Sequence, residues 1–572
     1  MSKSPYFAYF ASLTFVLLFF FGCVLDVEDG VSVIPQGSIS DSSKSVPKGN
    51  VYVVPYGSQA TILFSDGVDD DSSKLRLSDG GGYSWYESSD GSVNSWSLIE
   101  GENCSSFVTP TFTEKKVRYY YGNYTVESSD SDSSAGSNSG SNSSSDSDSA
   151  LETSDFSINS NVFLVACTGL PVLQIDTVDS EEPSCDYVYT PPANCYGSGL
   201  RNATKVPSRA RLYKYGQQSA IYDSGDYVKN ESGLTIKMRG NTSAYGLKRP
   251  YKLKLQQEAD LLSEICVSSS ASRSDSSYKD TEWLLLTGAT NLNTVVGLSV
   301  ADIAGTPWTP EFAFVNVVIN GDYRGIYMLI ESISKSPKRV DVADDGYIIE
   351  RDAYWWNEEV FFRTDLNQKF TFKYPNDETI TSSQFYSIKN YVNLVEQQIK
   401  SCDYENYIDV QSFARWSLIH DLLGSWDSCG SNIYISKYDD TSPSHPSANG
   451  SWSKLTMSTP WDFDSNYMMK DAWSNVHVGG RIYLNLLFSN SNRAFVNSYK
   501  TQYQALKSTL WPNLQEKLVE LQTSIGDDVN LSRNCDGYRW GVGHGSVQNN
   551  INVASDWFTS RLQWLDTEIG AL

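Results

Sequence analysis

Hydrophobic and polar residues alternate in short runs along the first third of the chain. The stretch VYVVPYGSQATILF at 51–64 is followed by YSWYES at 83–88, KKVRYYYGNYTV at 115–126 and SNVFLVACTG at 160–169, each bounded by polar turn residues. Runs of that length and period predict short strands, and several of them predict a β-sandwich. From Pro171 the pattern changes to mixed strands and helices. LPVLQIDTV and LTIKMRG read as strands, and EFAFVNVVINGDYRGIYMLIE reads as a hairpin turning at Asn320-Gly321. NYVNLVEQQIK and SFARWSLIHDLLGSW carry helical periodicity, LTMSTPWDFD returns to strand, and helices dominate from about Leu484.

Two stretches break the pattern. Residues 127–150, ESSDSDSSAGSNSGSNSSSDSDSA, hold nothing that builds a core and predict a disordered insertion into the β-rich region. An uncharged run from Ser4 to Val24 contains FVLLFFFGC and follows Lys3. It predicts export, by a signal peptide or a membrane anchor. Gly22-Cys23 resembles a bacterial lipobox, although Phe20 stands where such boxes usually carry Leu. The expected organisation is a signal segment at 1–23, a flexible tether at 24–48, a β-sandwich at 49–170 and a larger α+β unit at 171–572. The expected location is outside the cytoplasm: held at a surface or in the periplasm by an N-terminal lipid, or else secreted.

Composition narrows the function. A formal net charge of −24 with no basic stripe argues against a nucleic-acid partner. Eight cysteines besides Cys23 permit disulfides in an exported chain, with Cys185 and Cys195 the nearest pair, and no C-x-x-C is present. None of the 4 histidines is paired at i, i+4, and neither a G-x-S-x-G elbow nor a Walker loop occurs. What remains is chemistry by acids, amides and lysines.

Four stretches carry such chemistry. In IKMRGNTSAYGLKRPYKLKL, Arg239, Thr242 and Ser243 surround a turn at Gly240, a way to cradle phosphate; Lys252 and Lys254 share one strand face. Glu331 ends an apolar run, as a cap or as the ion-pair partner of a lysine. In LLGSWDSCGSNIYI, Asp427 and Asn432 suit an acid that accepts a hydroxyl proton and an amide that ligates a divalent ion. In TPWDFDSNY, Asp462 and Asp464 would share a face of an extended chain, with Trp461 and Phe463 anchoring the other. A hard cation such as Mg²⁺ would offset the repulsion between the two acids. Each stretch also has a plain reading as turn, cap or solvated hairpin.

Taken in order, these stretches resemble the CotH kinase family. The matching strings run from Arg239 to Ser243 with Lys248, Tyr251 and Lys254; from Asn320 to Glu331; and through Asp427, Asn432, Pro460, Trp461, Asp462 and Asp464. The resemblance implies an atypical protein-kinase-like fold of two lobes that transfers the γ-phosphate of ATP to Ser or Thr of exported proteins, with Mg²⁺ or Mn²⁺. By position, Asp427 would be the catalytic acid, and Asn432, Asp462 and Asp464 the metal-binding groups. Lys252 or Lys254 would contact the nucleotide phosphates together with Arg239, Glu331 being the lysine's partner. Family members commonly carry an arginine in the helix after the W-x-L-L strand; here Val296 and Gly297 stand near that place. The preceding region, with Trp85 as core tryptophan, resembles bacterial immunoglobulin-like domains in pattern and lacks their two cysteines. The competing reading is a non-catalytic surface adhesin or ligand-binding scaffold built on the same domain.

Overall fold

A computed structural model describes residues 46, 48–68, 82–126, 156–267, 278–425, 431–443, 452–467 and 482–572. The predicted export signal, nearly all of the tether and the Ser/Asp-rich insertion lie outside these residues, as do Asp427 and Cys429. No helix among the described residues is long and apolar enough to cross a membrane. The protein has an N-terminal β-rich region followed by a larger unit that mixes strands and helices.

In the first region, strands Val51–Val53, Phe163–Cys167, Lys116–Val126, Gly82–Ser88 and Ser97–Leu98 lie side by side, and Phe156–Asn159 also pairs with Lys116–Val126. A ribbon of Thr61–Leu63 and Ser106–Val108 packs over them. Trp85 is fully buried between the two layers with Ile62, Phe107 and Phe163.

The larger unit is built on a sheet that closes on itself. Its strands run in the order Val206–Tyr213, Leu234–Met238, Tyr251–Ala259, Asp280–Leu286, Asp322–Glu331, Phe312–Ile319 and Val172–Thr177, and the last pairs again with the first. The ring is therefore a barrel. Alternation along each strand sorts side chains inward and outward. Tyr251, Leu253 and Leu255 fill the interior with Ile236, Trp283 and Leu285, while Lys252 and Lys254 between them point outward. The Asn320-Gly321 turn forms as predicted; φ values of 51° and 76° supply the two left-handed residues that such a tight turn needs.

Three neighbours cover the barrel's outer wall. Val172, Val318 and Tyr323 meet Val51, Val53, Leu164 and Ala166 of the first region together with Cys535. Leu284, Phe314, Ile326, Met328 and Ile330 pack on helices Asn293–Ile303 and Leu510–Trp540. The remaining stretch, strands Leu234–Met238 and Tyr251–Ala259, turns toward a second, antiparallel sheet ordered Phe361–Arg363, Lys369–Tyr374, Tyr347–Arg351, Ile433–Lys437 and Thr456–Met457. Ile349, Phe370, Phe372, Ile433 and Ile435 of that sheet join the helical core, into which helices Ser382–Lys400 and Val410–Leu423 pack.

Two sequence expectations change. Of LTMSTPWDFD only Thr456–Met457 is strand; the rest is irregular, and at Asp462 the backbone is left-handed at φ 66°, outside the extended region. No disulfide joins Cys185 to Cys195.

Candidate active site

The outward face of the two barrel strands is basic because the alternation that buries Ile236, Leu253 and Leu255 exposes Lys237, Lys252 and Lys254. Register places Lys254 opposite Glu282 and Lys252 opposite Leu284, all on that face. Glu282 holds both lysines: its oxygens lie 2.8 Å from Lys252 Nζ and 3.2 Å from Lys254 Nζ. Burial favours a neutral Glu282, but the two ammoniums outweigh it and hold the carboxyl at about 2. Burial also lowers the Lys252 pKa, against the pull of Glu282, and the like charges of Lys373 and Lys254 add to the lowering. Lys373 belongs to the second sheet, so Lys252 faces across a cleft.

Arg239 extends the basic wall. It follows strand Leu234–Met238, where Gly240 turns the chain at φ 83°, a backbone state that residues with a Cβ rarely adopt. Burial lowers the Arg239 pKa, and Tyr434, Asp462 and Glu350 of the opposite wall counter it.

On that opposite wall Asn432 and Asp462 meet. Asn432 Nδ2 donates to Asp462 Oδ2 at 2.6 Å. Both residues are left-handed, at φ 59° and 66°, an uncommon and costly state for residues other than glycine. Glu350 braces the pair, since its Oε1 accepts the Asn432 backbone N–H at 3.2 Å and its Oε2 lies 2.9 Å from Lys373 Nζ. Burial works against the Lys373 ammonium, but Glu350, Tyr434, Glu358 and Asp352 carry its pKa well above the ordinary lysine value. Asp352, two residues on from Glu350, accepts from Ser431 Oγ at 3.0 Å and from the Tyr354 N–H at 2.8 Å. Burial and the neighbouring Glu350 charge raise its carboxyl to about 7.

Of the residues singled out in the sequence, Arg239, Lys252, Asn432 and Asp462 line this cleft, and Lys254 stands at its more exposed edge. Glu331 does not. It pairs in register with Trp283 on the interior face of the barrel, accepts the Glu311 N–H at 2.9 Å and lies 3.4 Å from Arg339 Nε. The lysines point the other way, so their partner is Glu282. Asp464 does not share a face with Asp462 on a strand, because the backbone there is not extended. Its side chain is exposed, and its carbonyl accepts from Asn293 Nδ2 at 2.7 Å. Trp461 and Phe463 are buried in the helical core, as an anchor requires. Phe463 also accounts for Gly297: a Cβ at that position would lie 2.1 Å from the Phe463 ring, which leaves no room for a larger side chain.

Sequence reasoning missed Glu282, Glu350, Asp352 and Lys373. Glu350 and Asp352 have the D-x-D kind of spacing that drew attention to Asp462 and Asp464, and that signal was open to use. Nothing local marks Lys373.

Asp462 and Asn432 offer adjacent hard oxygen donors beside cations. Among the described residues no three His, Cys, Asp or Glu groups converge to hold a metal by themselves. Mg²⁺ typically takes one or two protein carboxylates and completes its shell with water and substrate phosphates, so this donor set suits a metal–nucleotide pair.

The family model described as CotH kinase protein matches residues 236–565, which takes in the barrel's basic strands, the second sheet and the helices behind it. No curated protein matches the chain.

Proposed function

The chain belongs to the CotH kinase protein family, and from that premise we propose that it transfers the γ-phosphate of ATP to a Ser or Thr hydroxyl of an exported protein. The observation that carries the reading is the Asn432–Asp462 hydrogen bond, with the charge of Arg239 acting on Asp462 from the barrel side. In this reading the barrel and the second sheet with its helices are the two lobes of a kinase-like fold. The β-rich region before them is an immunoglobulin-like module, and an N-terminal lipid holds the protein outside the cytoplasm.

Lys252, braced by Glu282, and Arg239 grip the phosphate chain from the barrel side. Asp462 and Asn432 hold the divalent ion, Mg²⁺ or Mn²⁺, which when bound neutralises charge on the phosphates. Asp427, five residues before Asn432, accepts the proton of the attacking hydroxyl; its spacing supports the role, and it lies outside the described residues. Catalysis is then positioning and charge neutralisation.

Two measurements test this. Mg²⁺–ATP is expected to raise the melting temperature of the wild-type protein. Asp462→Asn is expected to cut transfer of radiolabel from ATP to an acceptor protein by roughly 100-fold or more, without lowering the melting temperature. Unchanged labelling overturns the assignment. Absence of any Mg²⁺–ATP shift favours a non-catalytic adhesin or scaffold.

A further inference from the structure

Every basic residue that sequence reasoning assigned to the cleft comes from the barrel wall. The opposite wall contributes one as well. We propose that Lys373 is a second phosphate-binding cation, and that Glu350 positions it together with Asn432. The proposal rests on the kinase reading and deepens it by dividing the grip on one polyphosphate chain between two walls.

Three observations carry it. Lys373 is held at one point and open elsewhere. Its Nζ meets Glu350 Oε2 at 2.9 Å, and its side chain remains 36% exposed while that of Glu350 is 6% exposed. An ammonium has three donors, and this ion pair occupies one of them, leaving two for a ligand. Lys373 also faces Lys252, close enough for the two charges to oppose each other, although each has a carboxylate on its own wall. Like charges are held face to face at a cost, and an anion between them removes it. Finally, Glu350 binds two things at once. One oxygen anchors Lys373 and the other anchors the left-handed Asn432, whose side chain reaches Asp462. A group so placed sets the phosphate-binding lysine and the metal-binding pair at a fixed separation.

A purely structural Lys373 would only neutralise Glu350, Asp352 and Glu358, and the test separates the two roles. The ligands are Mg²⁺–ATP, Mg²⁺–tripolyphosphate and AMP, with the full-length protein. Lys373→Met is expected to weaken the first two by roughly tenfold or more, the scale of one charge-assisted contact, and to leave AMP unchanged. Lys373→Arg is expected to restore both. Glu350→Gln is expected to raise the Mg²⁺ concentration needed for half-maximal ATP binding, a readout that simple loss of stability does not move. Lys373→Gln, which keeps a donor for Glu350, replaces the methionine variant if that one does not fold. Wild-type affinity for tripolyphosphate in the Lys373→Met or Lys373→Gln variant overturns the inference and leaves the kinase reading standing. Failure of the wild-type protein to bind either ATP or tripolyphosphate overturns both.

Discussion

Two mixed-charge clusters in this protein draw on the same sequence strings and end in opposite states. One surrounds Asp536, which accepts from Lys248 Nζ at 2.5 Å, from the Ile326 N–H at 3.0 Å, and meets His544 Nε2 at 2.8 Å. Asp536 is 1% exposed, and Lys248 sits 5.3 Å above the Tyr327 ring. Gly325 is required beside it: its φ is 112°, and a Cβ would fall 2.1 Å from Asp536 Oδ1. The other cluster is the cleft, where Lys252, Lys373 and Arg239 confront one another's partners, Asn432 and Asp462 are held left-handed, and solvent reaches both lysines. In the first cluster one buried carboxylate is held by Lys248, His544 and a backbone N–H. In the second, like charges face each other and the backbone is strained. Lys248, Gly325 and Tyr327 belong to the motif strings as fully as Arg239 does, yet they hold the barrel to helix Leu510–Trp540 rather than wait for a ligand.

The largest effect expected from this contrast is at Asp536. Asp536→Ala would leave Lys248 buried with no counter-charge, and breaking a buried pair from one side costs about 3–5 kcal/mol. Urea unfolding should show that loss, whereas Asp462→Asn should show almost none. Burial raises the Asp536 pKa, but His544 and Lys248 outweigh it and hold the carboxyl below its usual range. Its contribution is therefore complete above the ordinary aspartate pKa and fades as the pH falls through the depressed one. If the two variants lose equal stability, the division between a saturated cluster and a ligand-ready one fails.

Asp352 offers a pH test within the cleft. Its folded carboxyl titrates at about 7, against an ordinary value of 3.8. Between those values the folded chain keeps a proton that the unfolded chain has released, so this group makes stability fall as the pH rises. The slope for one proton is at most about 1.4 kcal/mol per pH unit. Asp352→Asn cannot ionise and still offers an oxygen to Ser431 and to the Tyr354 N–H. Urea unfolding at about pH 5 and about pH 8 should find the variant gaining stability relative to wild type as the pH rises. Equal pH dependence in the two proteins would show that Asp352 is ionised at neutrality and that the cleft is less crowded with negative charge than its geometry indicates.

The same contrast explains what the sequence disclosed. The Asn320-Gly321 turn was legible because few dipeptides accept two consecutive left-handed residues. The outward face of Lys252 and Lys254 was legible because apolar residues alternate with them, and a period of two leaves no other placement. Closure of the barrel was not legible: Val172–Thr177 pairs with both Val206–Tyr213 and Phe312–Ile319, and neither pairing leaves a local mark. Glu331 was misjudged for a related reason. It ends an apolar strand as a lysine's partner might, but one step of register decides which face of the barrel it takes, and Trp283 beside it fixes that face as the interior. Asp462 and Asp464 were read as a face-sharing pair on the premise of an extended chain, which a single φ of 66° removes.

The smallest expected effect decides between the two lysines. Lys254 has a side chain 49% exposed, shares Glu282 with Lys252 and also donates to Thr281 Oγ1 at 2.8 Å. Lys252 is 30% exposed and feels the charge of Lys373 across the cleft. An exposed pair contributes about 0–1 kcal/mol, so Lys254→Met should change ATP affinity by less than roughly fivefold. Lys252→Met removes the cation that faces the opposite wall and should weaken ATP by at least about tenfold. Glu282→Gln should reproduce part of the Lys252 loss by freeing its ammonium from the wall, while Glu331→Gln, on the barrel interior, should leave ATP affinity unchanged whatever it does to stability. Isothermal titration of the four variants ranks them directly. A ranking with Lys254 or Glu331 above Lys252 would mean that the phosphate chain does not lie between the barrel and the second sheet, and the contrast between the two clusters would lose its functional half.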